Sequence, residues 1–255
     1  AKAFSNLINS LPEEEIKLKQ KKQDLKIKCG NYESQLKGLD PKEFPIIPEL
    51  EDKFTELKSS VLMEGFSQVE DIASPSKVRP EISGVYISFN KKEIQMVATD
   101  SFRLGEKTVP LSDTTLSSTR NLILPSKTAR ELINIFKDQQ KELQIFISDN
   151  QIMFKTESPE KTEPEFQITS KLVEGDYPDY EKIIPDDHQI HLELPRKEFL
   201  NQIKAASLFG GKVNEVKCKA SDKGLEISSE DPNLGKNKSV VSAEVEGEES
   251  EASFN

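Results

Sequence analysis

The chain repeats itself, and the repeat sets the size of the unit from which any fold must be built. From Lys2 the sequence reads as a short helix followed by the strand-like runs LPEEEIKLKQ, QDLKIKC and YESQLKGL, and it closes on EFPIIP. From Ser126 the same order returns: a helix in SKTARELINIFKDQQ, then KELQIFISDN, QIMFKTE and EFQITSKLVEG, closing on DYPDYEKIIP. An aromatic-Pro pair ends each unit, Phe44-Pro45 and Tyr177-Pro178, so the offset is 178 − 45 = 133 residues, a domain-sized period.

A second kind of unit is interleaved with the first. A helix near Lys58 to Ala73 leads into GVYISFN and EIQMVATD, and its counterpart near Arg196 to Leu208 leads into EVKCKASDKGLEISSED. These strands alternate, with Val85, Ile87 and Phe89 on one side, as half-buried antiparallel strands do. Each unit is one helix plus a small sheet, which gives an α+β fold class with two helices packed on antiparallel sheets per domain. If two units make a domain, residues 1–50 hold the second half of one domain, 51–185 a complete domain, and 186–255 the first part of another. The opening AKAFSNLINSLPEEE has neither an initiator Met nor the features of a secretory signal, so the chain reads as cut from something longer.

No run approaches the roughly 18 apolar residues of a membrane span, so no membrane partner is expected. Cys29 and Cys218 lie far apart without a CxxC partner and read as ordinary thiols of a reducing cytoplasm, although spacing alone does not forbid a disulfide. The net charge of −10 argues against a surface coated in positive charge for gripping nucleic acid. Any basic surface must be local. In the helix after Pro125, Ala129, Leu132, Ile133 and Phe136 form the core face, while Lys127, Arg130, Asn134 and Lys137 share another, basic face. In the later helix, Phe199, Leu200 and Ile203 are assigned to the core, and Lys197, Asn201 and Lys204 share the polar face. The helix near Lys58 to Ala73 does not conform, since its outer positions include Glu64, Gln68 and Asp71.

Enzyme readings meet missing parts. His188 and His191, the only histidines, fall on opposite faces of the alternating run HQIHLEL and make a poor metal pair. GxSxG, P-loop and GxGxxG motifs are absent, and the carboxylates are scattered, so no cofactor is expected. An intracellular hydrolase would need a concave cluster of acids with perturbed pKa values. A purely structural interaction module would need no basic face.

At VATDSFRL (Val97 to Leu104) and LVEGDYPDYEKIIP (Leu172 to Pro185), with VRPEISGV from Val78 and LPSKTAREL from Leu124, the chain resembles the bacterial DNA sliding clamp, the β subunit of DNA polymerase III. The resemblance implies repeated clamp domains closed head to tail into a homodimeric ring, helices lining the hole and sheets outside. It implies a non-catalytic, cytoplasmic processivity factor that encircles double-stranded DNA without reading sequence. Its expected DNA-facing residues are Lys2, Arg79, Lys127, Arg130, Lys137, Lys197 and Lys204.

The resemblance further implies a groove for short linear motifs of the replicative polymerase, the clamp loader and repair proteins. Its walls would be Ile82, Thr99, Ser101, Phe102, Arg103, Leu104, Pro178, Lys182 and Ile183. Phe102 stands where many members have His or Tyr, and Lys182 where many have Arg; the family pocket is also completed by residues near the C-terminus. The ring interface would use Ser34 and Leu36 on one side and Ser207 and Leu208 on the other. Ser34 stands where a large apolar residue is common, which implies a weak contact and a monomer at micromolar concentration.

Overall fold

After Ser83 the apolar residues Val85, Ile87 and Phe89 fall at every second position, and that alternation folds the run into an antiparallel meander with one face turned to the core. The computed structural model describes residues 2–44, 46, 50–76, 78–111, 116, 118–157, 165–185 and 187–255; Pro45, which closes the first repeat, lies outside them. The chain divides into two compact units, Ala1–Pro178 and Asp179–Asn255. That break falls seven residues before Pro185, the boundary expected from sequence, and residues 1–50 share the first unit with the segment that follows.

The first unit opens with helix α1 (Lys2–Asn9) and the strands β1 (Ile16–Lys21), β2 (Asp24–Cys29) and β3 (Tyr32–Lys37), an antiparallel sheet in the order β1-β2-β3. Its inward rows pair Ile16 with Cys29 and Leu18 with Ile27, and Ile27 and Cys29 are each 1% exposed. Next come β4 (Lys53–Lys58), α2 (Ser59–Val69), β5 (Gly84–Asn90), β6 (Glu93–Thr99) and β7 (Leu104–Pro110). The order then recurs with β8 (Arg120–Pro125), α3 (Ser126–Phe136), β9 (Glu142–Ile147), β10 (Gln151–Lys155) and β11 (Gln167–Lys171).

Strand, helix, three strands is thus written twice, but neither copy closes alone. The sheets run β7-β6-β5-β8 and β11-β10-β9-β4, so each takes its fourth strand from the other copy. Helices α2 and α3 pack on one another and on these sheets. Val85, Ile87 and Phe89 point inward as expected, and join Leu62, Phe66, Leu132, Phe136 and Phe154 in one core. Gly84 allows the close approach of β5 to β8, since a Cβ there would lie 2.4 Å from the Leu124 carbonyl oxygen.

Ser59 fastens the two copies together at the start of α2. Its Oγ donates to the Gln139 carbonyl at 2.8 Å and accepts from the Lys141 N–H at 3.0 Å, while its own N–H donates to the Lys141 carbonyl at 2.7 Å. The side chain is fully buried.

The second unit contains β12 (Ile190–Glu193), α4 (Arg196–Ser207), β13 (Val216–Ser221), β14 (Gly224–Asp231), β15 (Gly235–Val241), β16 (Glu244–Gly247) and β17 (Ser250–Phe254). Its larger sheet runs β15-β14-β13-β17, the arrangement of β7-β6-β5-β8, and β12 pairs with β16. The core is Ala206, Val216, Ala220, Leu225, Ile227 and Val241, with Phe199 and Ile203 packed against it. Leu200, assigned to this core from sequence, is 39% exposed. The inward stripe of α4 is Phe199, Ile203 and Ala206, at spacings of 4 and 3, and Leu200 is turned about 100° from it. His188 precedes β12 rather than alternating within it. Both cysteines are free, and burial pushes the Cys218 thiol pKa up. No described helix is long and apolar enough to cross a membrane.

Replacing Ser59 with Ala removes the hydroxyl that bridges two part-buried backbone groups at the seam between the copies. Ser59→Ala should lower unfolding free energy by about 1–3 kcal/mol in urea titration, with a single transition retained. A loss below about 0.5 kcal/mol would mean that the seam is held elsewhere.

Candidate functional site

The turn between β6 and β7 is exposed, and short polar side chains build it. Thr99 and Leu104 face one another as the last register pair of the two strands. Between them the Asp100 carboxylate accepts the backbone N–H groups of Phe102 at 3.0 Å and Arg103 at 2.9 Å. The Thr99 hydroxyl donates to the Arg103 carbonyl at 2.8 Å and accepts from the Ser101 N–H at 3.1 Å. Ser101 adopts a left-handed conformation, φ 76°, at the top of the turn. The Arg103 Nε donates to the Asp100 carboxylate at 3.0 Å and its Nη2 to the Asp71 carbonyl at 3.2 Å. The backbone N–H of Arg103 is the main reason that the Asp100 pKa lies below the usual carboxylate range; the Phe102 N–H and the guanidinium add to it. This wiring leaves the Phe102 ring 98% exposed at the tip.

Two neighbouring segments adjoin the turn. Arg79 donates from Nη1 to the Ser101 hydroxyl at 3.0 Å and from Nε to the Glu81 carboxylate at 3.1 Å. Arg79, expected among the DNA-facing residues, is therefore part of the turn's surroundings, held by a hydrogen bond that spans 22 residues of sequence. Ile82, expected as a groove wall, is only 2% exposed and so offers almost no surface to a ligand. On the other side Tyr177 stacks on Tyr86, ring centroids 5.0 Å apart, with its hydroxyl 3.5 Å from the Val97 carbonyl, which carries half-buried Pro178 towards the end of β6. Thr99, Ser101, Phe102, Arg103 and Leu104 thus form one turn, contacted by Arg79, and Tyr177, which precedes Pro178, packs on the adjoining strands β5 and β6. Lys182 and Ile183 fall in the 3-10 turn Glu181–Ile183 of the second unit, both exposed.

The helix faces are exposed as the spacing requires. Lys127, Arg130, Asn134 and Lys137 on α3 are exposed, as are Lys197, Asn201 and Lys204 on α4 and Lys2 on α1. The cations of α3 differ in freedom. Arg130 lies 2.6 Å from the buried Glu70 carboxylate and 3.7 Å from that of Asp71. Burial raises the Glu70 pKa against the opposing pull of Arg130, and the pairing raises that of Arg130. Much of the Arg130 charge is therefore answered within the protein. The sequence signal for this pair was weak: Asp71 marked the helix near it as nonconforming, but nothing set Glu70 apart. Ser34 and Leu36 are half-buried on β3, an edge of its sheet, and Ser207 and Leu208 are exposed at the end of α4.

Each described carboxylate with a shifted pKa has a local cause. Glu81 is lowered by a backbone hydrogen bond and Arg79, Asp100 by its own turn, and Glu70 is tied to Arg130. Copies of a strand-helix-three-strand unit that exchange strands, with a basic face on α3 and another on α4, define the DNA-clamp class of fold. Family models for the DNA polymerase III beta subunit match it twice, the central domain over residues 56–179 and the C-terminal domain over 181–255. The chain belongs to the DNA polymerase III β subunit, or sliding-clamp, family.

Its similarity extends along the chain. It is 34% identical to the beta sliding clamp of Staphylococcus aureus and 33% to that of Staphylococcus epidermidis, in each case over 99% of this chain and 66% of the relative. Among solved structures, the DNA polymerase sliding clamp of Bacillus subtilis superposes with a TM-score of 0.82 at 31% identity, covering 99% of this chain and 66% of that one. The beta subunit from DNA polymerase of Streptococcus pyogenes gives 0.80 at 27% identity, covering 100% and 68%. The chain thus spans about two thirds of the length of these relatives.

Tyr177 offers a spectroscopic handle on the turn region. Burial pushes its phenol pKa up to about 12. Because the folded pKa lies above the unfolded value near 10, its contribution is fully present below about pH 10 and is lost as pH rises towards 12. Ultraviolet titration should find a tyrosine ionising at about pH 12, and Tyr177→Phe should remove that step. Loss of the step in a Tyr32→Phe variant instead would contradict the burial assignment.

Proposed function

We propose that this chain is part of a DNA sliding clamp, a non-catalytic cytoplasmic protein that holds the replicative polymerase on duplex DNA. In this reading residues 1–50, 51–185 and 186–255 are parts of three successive clamp domains, and the full-length protein closes as a homodimer. Exposed lysines on equivalent helices support weak, phosphate-directed contacts. A ring that is retained by topology needs no more, and sliding requires contacts that exchange readily. Lys127, Lys137, Lys197, Lys204 and Lys2 carry this role, with Arg130 contributing less because Glu70 holds it.

The observation that carries the reading is the hydrogen-bonded Thr99–Leu104 turn, which offers polar edges and half-buried Leu104 in a backbone fixed by its own hydrogen bonds. A preorganised turn of this kind suits a short linear motif, whose anchor side chain supplies affinity while backbone groups set its direction. The replicative polymerase, the clamp loader and repair proteins are the proposed sources of that motif. The ring contact is assigned to Ser34 and Leu36 with Ser207 and Leu208.

Filling such a surface with one apolar anchor contributes roughly 1.5–3 kcal/mol, or about 10- to 150-fold in affinity. Leu104→Asp should abolish binding of a fluorescent clamp-binding peptide in an anisotropy titration while leaving the melting temperature nearly unchanged. Intact affinity in that variant removes the groove assignment. Lys127→Gln with Lys137→Gln should lower the magnitude of the log–log salt slope for duplex binding by about 1.8, and an unchanged slope would exclude α3 from the DNA face.

A further inference from the structure

We propose that the outward face of the sheet β1-β2-β3 binds the phosphodiester backbone of duplex DNA, as a surface distinct from the basic helix faces. The strand register lays out three rows across this sheet: Lys17, Lys28 and Glu33; Lys19, Lys26 and Gln35; Lys21, Asp24 and Lys37. The alternate rows contain buried Ile27 and Cys29, so these three point away from the core. Six lysines and two carboxylates give 6 − 2 = +4 on this one face, in a chain whose net charge is −10.

The few acids present do not absorb that charge. Lys17 lies 3.5 Å from Glu15, and Asp24 accepts a 2.7 Å hydrogen bond from Gln35 rather than from a lysine. Among the described residues no ion pair engages Lys19, Lys21, Lys26, Lys28 or Lys37. Lys17 opposes Lys28 and Lys19 opposes Lys26 directly, which places like charges at cross-strand distances of about 4.5–5.5 Å between Cβ atoms, an unfavourable arrangement. Lysines on an edge strand are a common guard against sheet-to-sheet pairing, and that would account for β1. It does not account for Lys26 and Lys28, which stand on the middle strand. A square of four lysines that repel one another is relieved by an anion from outside.

The spacing selects the anion. Successive lysines on β1 are two residues apart, about 6.6–6.8 Å; because the backbone of B-DNA winds about its axis, neighbouring phosphates of one strand lie about twice as far apart as their ~3.4 Å axial rise. Lys17, Lys19 and Lys21 can therefore meet neighbouring phosphates of one strand, with Lys26 and Lys28 alongside at about 4.8 Å. The three rows hold no aromatic or apolar side chain. Stacking on unpaired bases, anchoring of a peptide and insertion into a membrane interface all lack their means. Contacts on this face are ionic and indifferent to base sequence.

The test is duplex binding by the whole chain, followed by anisotropy of a short blunt-ended labelled duplex over a salt series. Lys19→Gln with Lys26→Gln should weaken binding roughly tenfold at low salt and lower the magnitude of the log–log salt slope by about 1.8, while Lys19→Arg with Lys26→Arg should restore both. Circular dichroism should show the Gln variant melting no lower than the parent, since a like-charge pair has been removed; if the pair of changes prevents folding, Lys26→Gln alone should lower the slope by about 0.9. Combined with Lys127→Gln, the losses should add, because the two surfaces are independent; a Lys127→Gln effect without a Lys26→Gln effect leaves the helix faces standing and overturns the sheet face. Unchanged duplex affinity with increased self-association of the variant would reduce the lysines to edge protection and overturn the proposal. Tighter lysine-dependent binding to polyglutamate or to phosphatidylglycerol vesicles than to the duplex would overturn it as well.

Discussion

The exchange of strands between the two halves of the 51–178 segment governs the rest of the first unit. Strand β4 opens one copy yet completes the sheet of the other by pairing with β9, and β8 does the reverse with β5. A helix and three strands cannot cover their own apolar face, and the exchange lets α2 and α3 share a single core between two sheets. The long sequence separation of these pairings also means that neither copy can be removed without opening the other. The surfaces proposed for binding, the β6–β7 turn and the outer face of α3, are both mounted on this shared body.

Much of this organisation is legible in the amino-acid order. The helix after Pro125 follows an i, i+3, i+7 stripe, Ala129, Leu132 and Phe136, and all three are buried. Strand β5 alternates and turns Val85, Ile87 and Phe89 inward. Leu200 misled because the apolar positions of α4 include two adjacent residues, Phe199 and Leu200, and only the packing of Ala206 settles which faces the core. The site was less legible for a reason of range. Thr99, Asp100 and Arg103 bond within four residues and stand in one motif, whereas the contact of Arg79 with Ser101 and that of Arg130 with Glu70 bridge distant segments. No periodicity announces such a pair, so Arg79 was assigned by its charge and Ile82 by its place in the resemblance.

Charge in this molecule is organised by location rather than by total. A net charge of −10 coexists with exposed lysines concentrated on helices and on one sheet face. An acidic remainder discourages indiscriminate adhesion to nucleic acid, while local basic surfaces keep the ability to touch phosphate. The same residue type therefore has different standing by position: Lys107 is answered by Glu64 at 2.9 Å, whereas Lys26 faces another lysine across the sheet.

The short turn from Glu70 to Ile72 receives cations from two directions. Arg103 of the β6–β7 turn donates to the Asp71 carbonyl, Arg130 of α3 meets the carboxylates of Glu70 and Asp71, and Gly105 is bare where its Cβ would strike Ile72 at 2.3 Å. Those three residues are thus a common footing for the β6–β7 turn and the helix. A genetic or chemical lesion there cannot be scored against one surface alone: a defect mapped to Asp71 has two addresses, and only paired substitutions at Arg103 and Arg130 can tell them apart.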